Sequence, residues 1–173
     1  MATIGSPFWR FSLRFYREPA VAAACLTLQD EAGVDVNVLL FLLWCATLRR
    51  RLSATEVGEL SRDCAAWGRA AVIPLRRLRR ALKAPPPLIA AGDAEVFRSK
   101  IKAVELEAER LQQEAMYQRL QSARLGEEVD SPTAAAAANI AAYQAVVTAT
   151  PFPAAAVNTM LAALAAACEK QGE

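Results

Sequence analysis

The stretch DVNVLLFLLWCATLRRR, Asp35 to Arg51, decides how this chain folds. Thirteen uncharged residues, Val36 to Leu48, run into three arginines. Two structures suit that pattern: a membrane anchor with a positive flank, or the buried spine of a helical domain. Length separates them. As a helix, the segment between Asp35 and Arg49 covers about 20 Å at about 1.5 Å per residue. A bilayer core needs about 30 Å, or about 20 apolar residues. The anchor fails on length. Apolar side chains lie all round the helix, the pattern of one enclosed by other helices. Asp35 is placed to cap its start. Arg49, Arg50 and Arg51 are expected in its last turn, where cations complement the carbonyl end of the dipole. Leu39, Leu42, Leu43 and Trp44 are expected among the most buried residues.

The rest of the chain extends the helical reading. Of 173 residues 54% are hydrophobic, many of them alanine, which favours helix and buries little area. The β-branched and aromatic runs of strands are missing. The expected fold is all-α: a single-domain orthogonal or irregular bundle of six to eight helices with one long helix at about 94–125. Within 1–173, residues 1–84 form a basic helical half, 85–92 a Pro-rich connector, and 93–173 an acidic, Ala-rich helical half. Residues 1–90 hold 13 Lys and Arg against 7 Asp and Glu, a net of +6. Residues 91–173 hold 7 against 11, a net of −4. Either the halves dock on each other or each suits a partner of opposite sign.

Helix punctuation is dense. Ser6-Pro7 reads as a cap followed by a first-turn proline. The helix it opens carries an aromatic stripe, Phe8, Phe11 and Phe15, expected in the core. Its basic stripe, Arg10, Arg14 and Arg17, is expected in solvent, with a membrane or nucleic-acid surface as the other option. Pro19 starts a second helix and Gly33 stops it. Ser53 to Glu56 is a capping box, starting a helix that runs to about Ala71. Pro74 is expected to kink or break that helix. Pro85, Pro86 and Pro87 make a stiff connector. Asp93 is read as the cap of the long helix. Phe97, Ile101, Val104, Ala108, Leu111 and Ala115 form a heptad seam on it, expected to pack antiparallel inside the chain and giving a lean toward a homodimer. Ser131-Pro132 opens a helix ending at Ala149, and a last helix runs from about Ala154 to Cys168.

Several chemistries are excluded. Without histidine there is no His-based acid–base catalysis and no His-ligated metal. Cys25, Cys45, Cys64 and Cys168 form no CxxC pair and read as small buried hydrophobes, reduced in a cytoplasmic protein. The first residues lack the apolar core of a secretory signal. No phosphate-binding, nucleophile-elbow or zinc-protease motif occurs. Glu105, Glu107 and Glu109 point to different helix faces and make no catalytic pair. No metal site and no cofactor is expected.

Two groups of residues stand out as candidate sites. Arg76, Arg77, Arg79, Arg80 and Lys83 surround Leu75, Leu78 and Leu82, which makes a basic amphipathic helix. It suits an acidic protein partner, or more weakly an anionic lipid or nucleic acid. It also suits pairing with the acidic 105–114 region of the same chain. The second group is the corner LQDEAGVDVN, where Gln29, Asp30, Glu31, Asp35 and Asn37 gather oxygens at a helix–helix turn. It suits a polar ligand or a partner's backbone better than a cation, since its spacing matches no EF-hand.

FWRFSLRFY, LQDEAGVDVNVLLFLLW and the segment from Trp67 through Val72 to PLRRLRRALK resemble a family of small proteobacterial proteins of about 160 residues, known only as a domain of unknown function. EVFRSKIKAVELEAERLQQ and NIAAY extend the resemblance. It implies a cytoplasmic, all-helical protein and transfers no catalytic residue. The function expected is a non-enzymatic interaction or regulatory protein that binds a protein partner through the basic helix or the 29–37 corner. The alternative is a small-molecule or lipid-associated protein with an apolar pocket near Trp9, Trp44 and Trp67.

Overall fold

The computed structural model describes residues 5–147 and 150–169. Its centre is α3, Val36–Thr47, which buries every residue from Asn37 to Ala46. Leu39, Leu42, Leu43 and Trp44 are at most 6% exposed, as their all-round apolar setting requires. Asp35 Oδ1 accepts from the backbone N–H of Asn37 at 2.9 Å and Val38 at 3.4 Å, so the expected cap is in place.

α1, Pro7–Tyr16, starts at Ser6, whose Oγ accepts from the N–H of Trp9. It buries Phe8, Phe11 and Phe15 and leaves Arg10, Arg14 and Arg17 exposed. The Phe8 ring meets Phe41 of α3 edge-on, centroids 5.2 Å apart. α2, Pro19–Ala32, stops at Gly33, whose φ of 67° lies in the left-handed region that suits glycine. α4, Ala54–Trp67, opens on the complete Ser53–Glu56 capping box.

Pro74 does not break the chain's helical course. A five-residue π segment, Gly68–Val72, joins α4 to α5, Ile73–Ala81. The N–H of Ile73 reaches back to the carbonyl of Gly68. This wider turn absorbs a residue just where a proline would otherwise clash with the preceding turn. The expected kink or break is thus replaced by a π insertion.

The long helix, α6, spans Ala91–Ser122, about one turn earlier than expected. Asp93 lies inside its first turn, where it complements the dipole rather than capping. The arginine ending of α3 also differs from expectation. α3 stops at Thr47, and Arg49 turns out with φ 57°. Arg50–Arg51 then form β1, antiparallel to β2 at Glu127–Glu128. The acidic loop after α6 supplies the partner, and Arg51 pairs with Glu127.

α7, Pro132–Val147, packs on α3 and α4, while α8, Ala154–Glu169, covers α2. The expected end of α7 at Ala149 lies outside the described residues. Ile140, Tyr143, Met160 and Leu164 are the anchors of these alanine-rich helices and are at most 4% exposed. Their core is continuous with that of α1, α2 and α3. The fold is all-α. Among the described residues, no helix is long and apolar enough to cross a membrane.

Candidate functional site

α5 is fastened to α6 by charge. It contains no fully buried residue; Leu75 and Leu82 are half-covered and Leu78 is 41% exposed. Its arginines do the holding. Arg76 Nε donates to Glu105 Oε1 at 3.0 Å and Nη2 to Glu109 Oε1 at 2.7 Å. Its Nη1 donates to Gln29 Oε1 of α2 at 2.9 Å. Arg79 grips the other side of Glu105, Nε to Oε2 at 2.5 Å and Nη2 to Oε1 at 3.2 Å. Glu105 itself is buried, 5% exposed. Burial alone would raise its carboxyl; the hydrogen bonds from Arg79 and Arg76 hold it below the usual glutamate value. Glu109, one turn on, goes the other way. Burial raises it, the neighbouring Glu105 charge adds to the rise, and Arg76 does not cancel it.

The basic helix therefore divides in two. Arg76 and Arg79 are used inside the chain, which withdraws them from any partner patch. Arg80 makes a loose 3.7 Å contact with Asp30 at the surface. Arg77 and Lys83 are exposed and join none of the ion pairs formed among the described residues.

The polar corner is also engaged. Gln29 serves Arg76 and Asp30 meets Arg80, while Glu31 is exposed. Asp35 Oδ2 accepts from Gln112 Nε2 at 2.7 Å. Asn37 Nδ2 donates to Gln112 Oε1 at 3.2 Å, and Gln113 Nε2 donates to Asn37 Oδ1 at 2.8 Å. From α7, Tyr143 accepts the Asp35 N–H at 3.0 Å on its hydroxyl. Asp35 and Asn37, expected as ligand-gripping oxygens, are instead joints between α3, α6 and α7. Among the described residues, no group of three or more Cys, Asp or Glu is placed to hold a metal ion.

The three tryptophans do not share a pocket. Trp44 is packed among Phe8, Phe41 and Tyr117 at centroid distances of 5.4–6.0 Å. Trp9 is buried with its ring against Gly5. Trp67 is 38% exposed, and its indole N–H donates to the Ala108 carbonyl of α6 at 3.0 Å. It lines an open groove of about 410 Å³ between α4 and α6, with Leu60, Cys64, Leu111, Ala115 and Met116.

The seam on α6 is misplaced as well. The heptad seam predicts an internal contact. α6 instead buries Ala94, Glu105, Ala108, Gln112, Gln113 and Met116. Of the seam only Ala108 is buried; Phe97, Val104 and Leu111 are about half exposed. The spacing signal is real, but the arginines of α5 and the Asn37 amide of α3 claim the polar face next to it.

A family model described as "Protein of unknown function (DUF2390)" matches residues 7–116. The match runs from α1 through most of α6, more than half the chain, and the protein belongs to this family. No curated protein and no solved structure matches it.

Proposed function

We propose that this member of the family is a non-enzymatic cytoplasmic interaction protein, and that it binds an acidic protein segment along the outer edge of α5. One observation carries the reading: α5 is held by two of its cations while others stay exposed. Arg76 and Arg79 fasten the helix, and Arg77, Arg80 and Lys83 remain at the surface. Leu78 is 41% exposed beside them, and in the connector that follows Leu88 is 92% exposed. Cations interleaved with uncovered apolar side chains suit an acidic amphipathic segment, the charges setting encounter and register. The 29–37 corner is a weaker candidate, because its side chains are joined to α5, α6 and α7. The four free cysteines support a reducing compartment.

The test is capture from host extract with the full chain and with Arg77→Glu/Lys83→Glu, both at exposed positions. The expected result is one or more proteins retained by the native chain, released by salt, and lost from the variant. Recovery of only nucleic acid or lipid overturns the reading, as does equal capture by the variant.

A further inference from the structure

α6 carries an apolar stripe that the described chain leaves uncovered. Phe97, Val104 and Leu111 recur at seven-residue spacing and are 49%, 51% and 46% exposed. Side chains seven apart on a helix are two turns apart, offset by only about 20°, so the three lie along one line. The stripe runs beside the buried face: Glu105 and Gln112, each one position on from Val104 and Leu111, are buried. At its Leu111 end it opens into the groove walled by Trp67, Leu60 and Met116. In-line large hydrophobes at a groove mark an association surface.

The flanking charges say what covers it. Lys100 follows Phe97 by three residues, and Glu107 follows Val104 by three, so both lie along the same outer edge of the stripe. Consider two copies of α6 set antiparallel about a two-fold axis at Val104. Val104 then meets Val104, and Phe97 meets Leu111 of the second copy. Lys100 comes within one residue of Glu107 of the second copy, and the symmetry makes that ion pair twice. A parallel pairing would instead set this edge of one copy beside the other edge of the second, where Glu105 and Gln112 are buried, so Lys100 and Glu107 would not meet. Glu107 already shares Arg110 of its own helix, but that pair is exposed and leaves the carboxylate able to meet a second cation. We infer that the protein forms a two-fold homodimer through this stripe, with Phe97 of each copy entering the other's groove beside Trp67.

Sedimentation equilibrium of the full chain, from about 1 to 100 μM, tests the inference over the range of a modest affinity. The expected mass is twice 18.7 kDa. Val104→Asp places two carboxylates on the axis and is expected to weaken the dimer about 100-fold or more, an effect of charge repulsion at a desolvated contact. Lys100→Glu and Glu107→Lys are each expected to weaken it, and the double exchange to restore it. These positions are exposed, so circular dichroism should show the native helical content; should Val104→Asp unfold, the charge exchange tests the same contact. A monomeric native chain overturns the inference. So does a folded Val104→Asp that stays dimeric, or a double exchange that fails to restore association.

Discussion

Asn139 of α7 donates its Nδ2 to the carbonyl oxygen of Leu42, in the middle of α3, at 3.0 Å. The same nitrogen donates to the Arg50 carbonyl at 3.1 Å, and Oδ1 accepts from the Leu52 N–H at 2.8 Å. A wholly buried amide thus joins α7, α3 and β1. Asn139→Ala would strand a buried N–H and two carbonyls in apolar surroundings. The expected cost is about 3 kcal/mol, the sum of a lost hydrogen bond and unsatisfied groups. Urea unfolding should show a lower midpoint at unchanged slope. A loss under about 0.5 kcal/mol, the size of an ordinary surface change, would show that this joint is dispensable.

Two glutamates one turn apart on α6 should respond oppositely to loss of charge. Glu105 is the buried carboxylate held between two arginines. Glu105→Gln leaves both guanidinium groups short of their counter-charge, with an expected cost of about 2 kcal/mol for charged hydrogen bonds at a partly exposed pair. Glu109 is raised by burial and by the Glu105 charge, so Glu109→Gln relieves repulsion while keeping an acceptor for Arg76. It should cost little or stabilise slightly. Thermal melts of the two variants separate these outcomes, and equal losses would contradict this account of the cluster.

What the sequence conveyed and what it hid divide along physical lines. Caps and stops were legible because they are local: Ser6, Gly33, Asp35 and the Ser53–Glu56 box depend on residues within a turn. The burial of α3 was legible because its apolar residues leave no polar face. The joints were not legible. Asn37, Gln112, Gln113 and Asn139 are separated by 75 positions or more along their hydrogen-bonded contacts between α3, α6 and α7. Nothing in an isolated amide says where its partner lies. The arginines show the same limit. Their pattern predicts a basic helix, but only the fold shows Arg76 and Arg79 turned to Glu105 while Arg77 stays outside. The heptad seam shows its complement: the period is on the helix, but its large residues Phe97, Val104 and Leu111 are left half exposed by the chain.

Acid should destabilise the fold through the same carboxylates. Glu105 titrates below its ordinary value: burial raises it, but Arg79 and Arg76 more than offset that. Glu56 is also lowered: burial raises it, but bonds from the N–H groups of Gly126 and Ser53 and from the Ser53 hydroxyl prevail. A group lowered on folding stabilises fully above its unfolded value of about 4.3, and that contribution disappears as pH falls through the folded value. Stability should therefore drop below about pH 4.3. Glu109, raised on folding, opposes the trend and softens it. Urea midpoints between neutral and acid pH check this, and the fall should be shallower in Glu105→Gln. An unchanged slope in that variant would assign the acid sensitivity elsewhere.

Two glycines with positive φ should differ in what an alanine costs. At Gly33, φ 67°, an added Cβ meets nothing within 4 Å. Gly33→Ala should cost about 1 kcal/mol, the backbone penalty alone. At Gly126, φ 71°, the added carbon would lie 3.0 Å from the Arg51 carbonyl oxygen and 3.2 Å from Leu52 Cδ1. It would also push on the β1–β2 pair. Gly126→Ala should cost more than Gly33→Ala in the same urea assay, and the reverse order would refute the steric argument.

The thiols should report opening of the core. Cys25 and Cys64 are buried, and burial pushes each thiol up to about 12; Cys45 is buried deeper still and shifts upward too. Disulfide exchange needs the thiolate, so at mild alkaline pH a native thiol near 12 presents about one reactive form in 10⁴ and is shielded as well. Cys168 near the end of α8 is only partly covered; burial raises it less far. A chromogenic disulfide reagent should therefore label one thiol per native chain and four in denaturant. The three slow thiols sit on α2, α3 and α4. If Cys25, Cys45 and Cys64 are labelled at one common rate, those helices open together as one cooperative unit. If Cys64 runs ahead, α4 opens first, beside the Trp67 groove that Cys64 lines. Rapid labelling of all four thiols in the native chain would contradict the packing around α3.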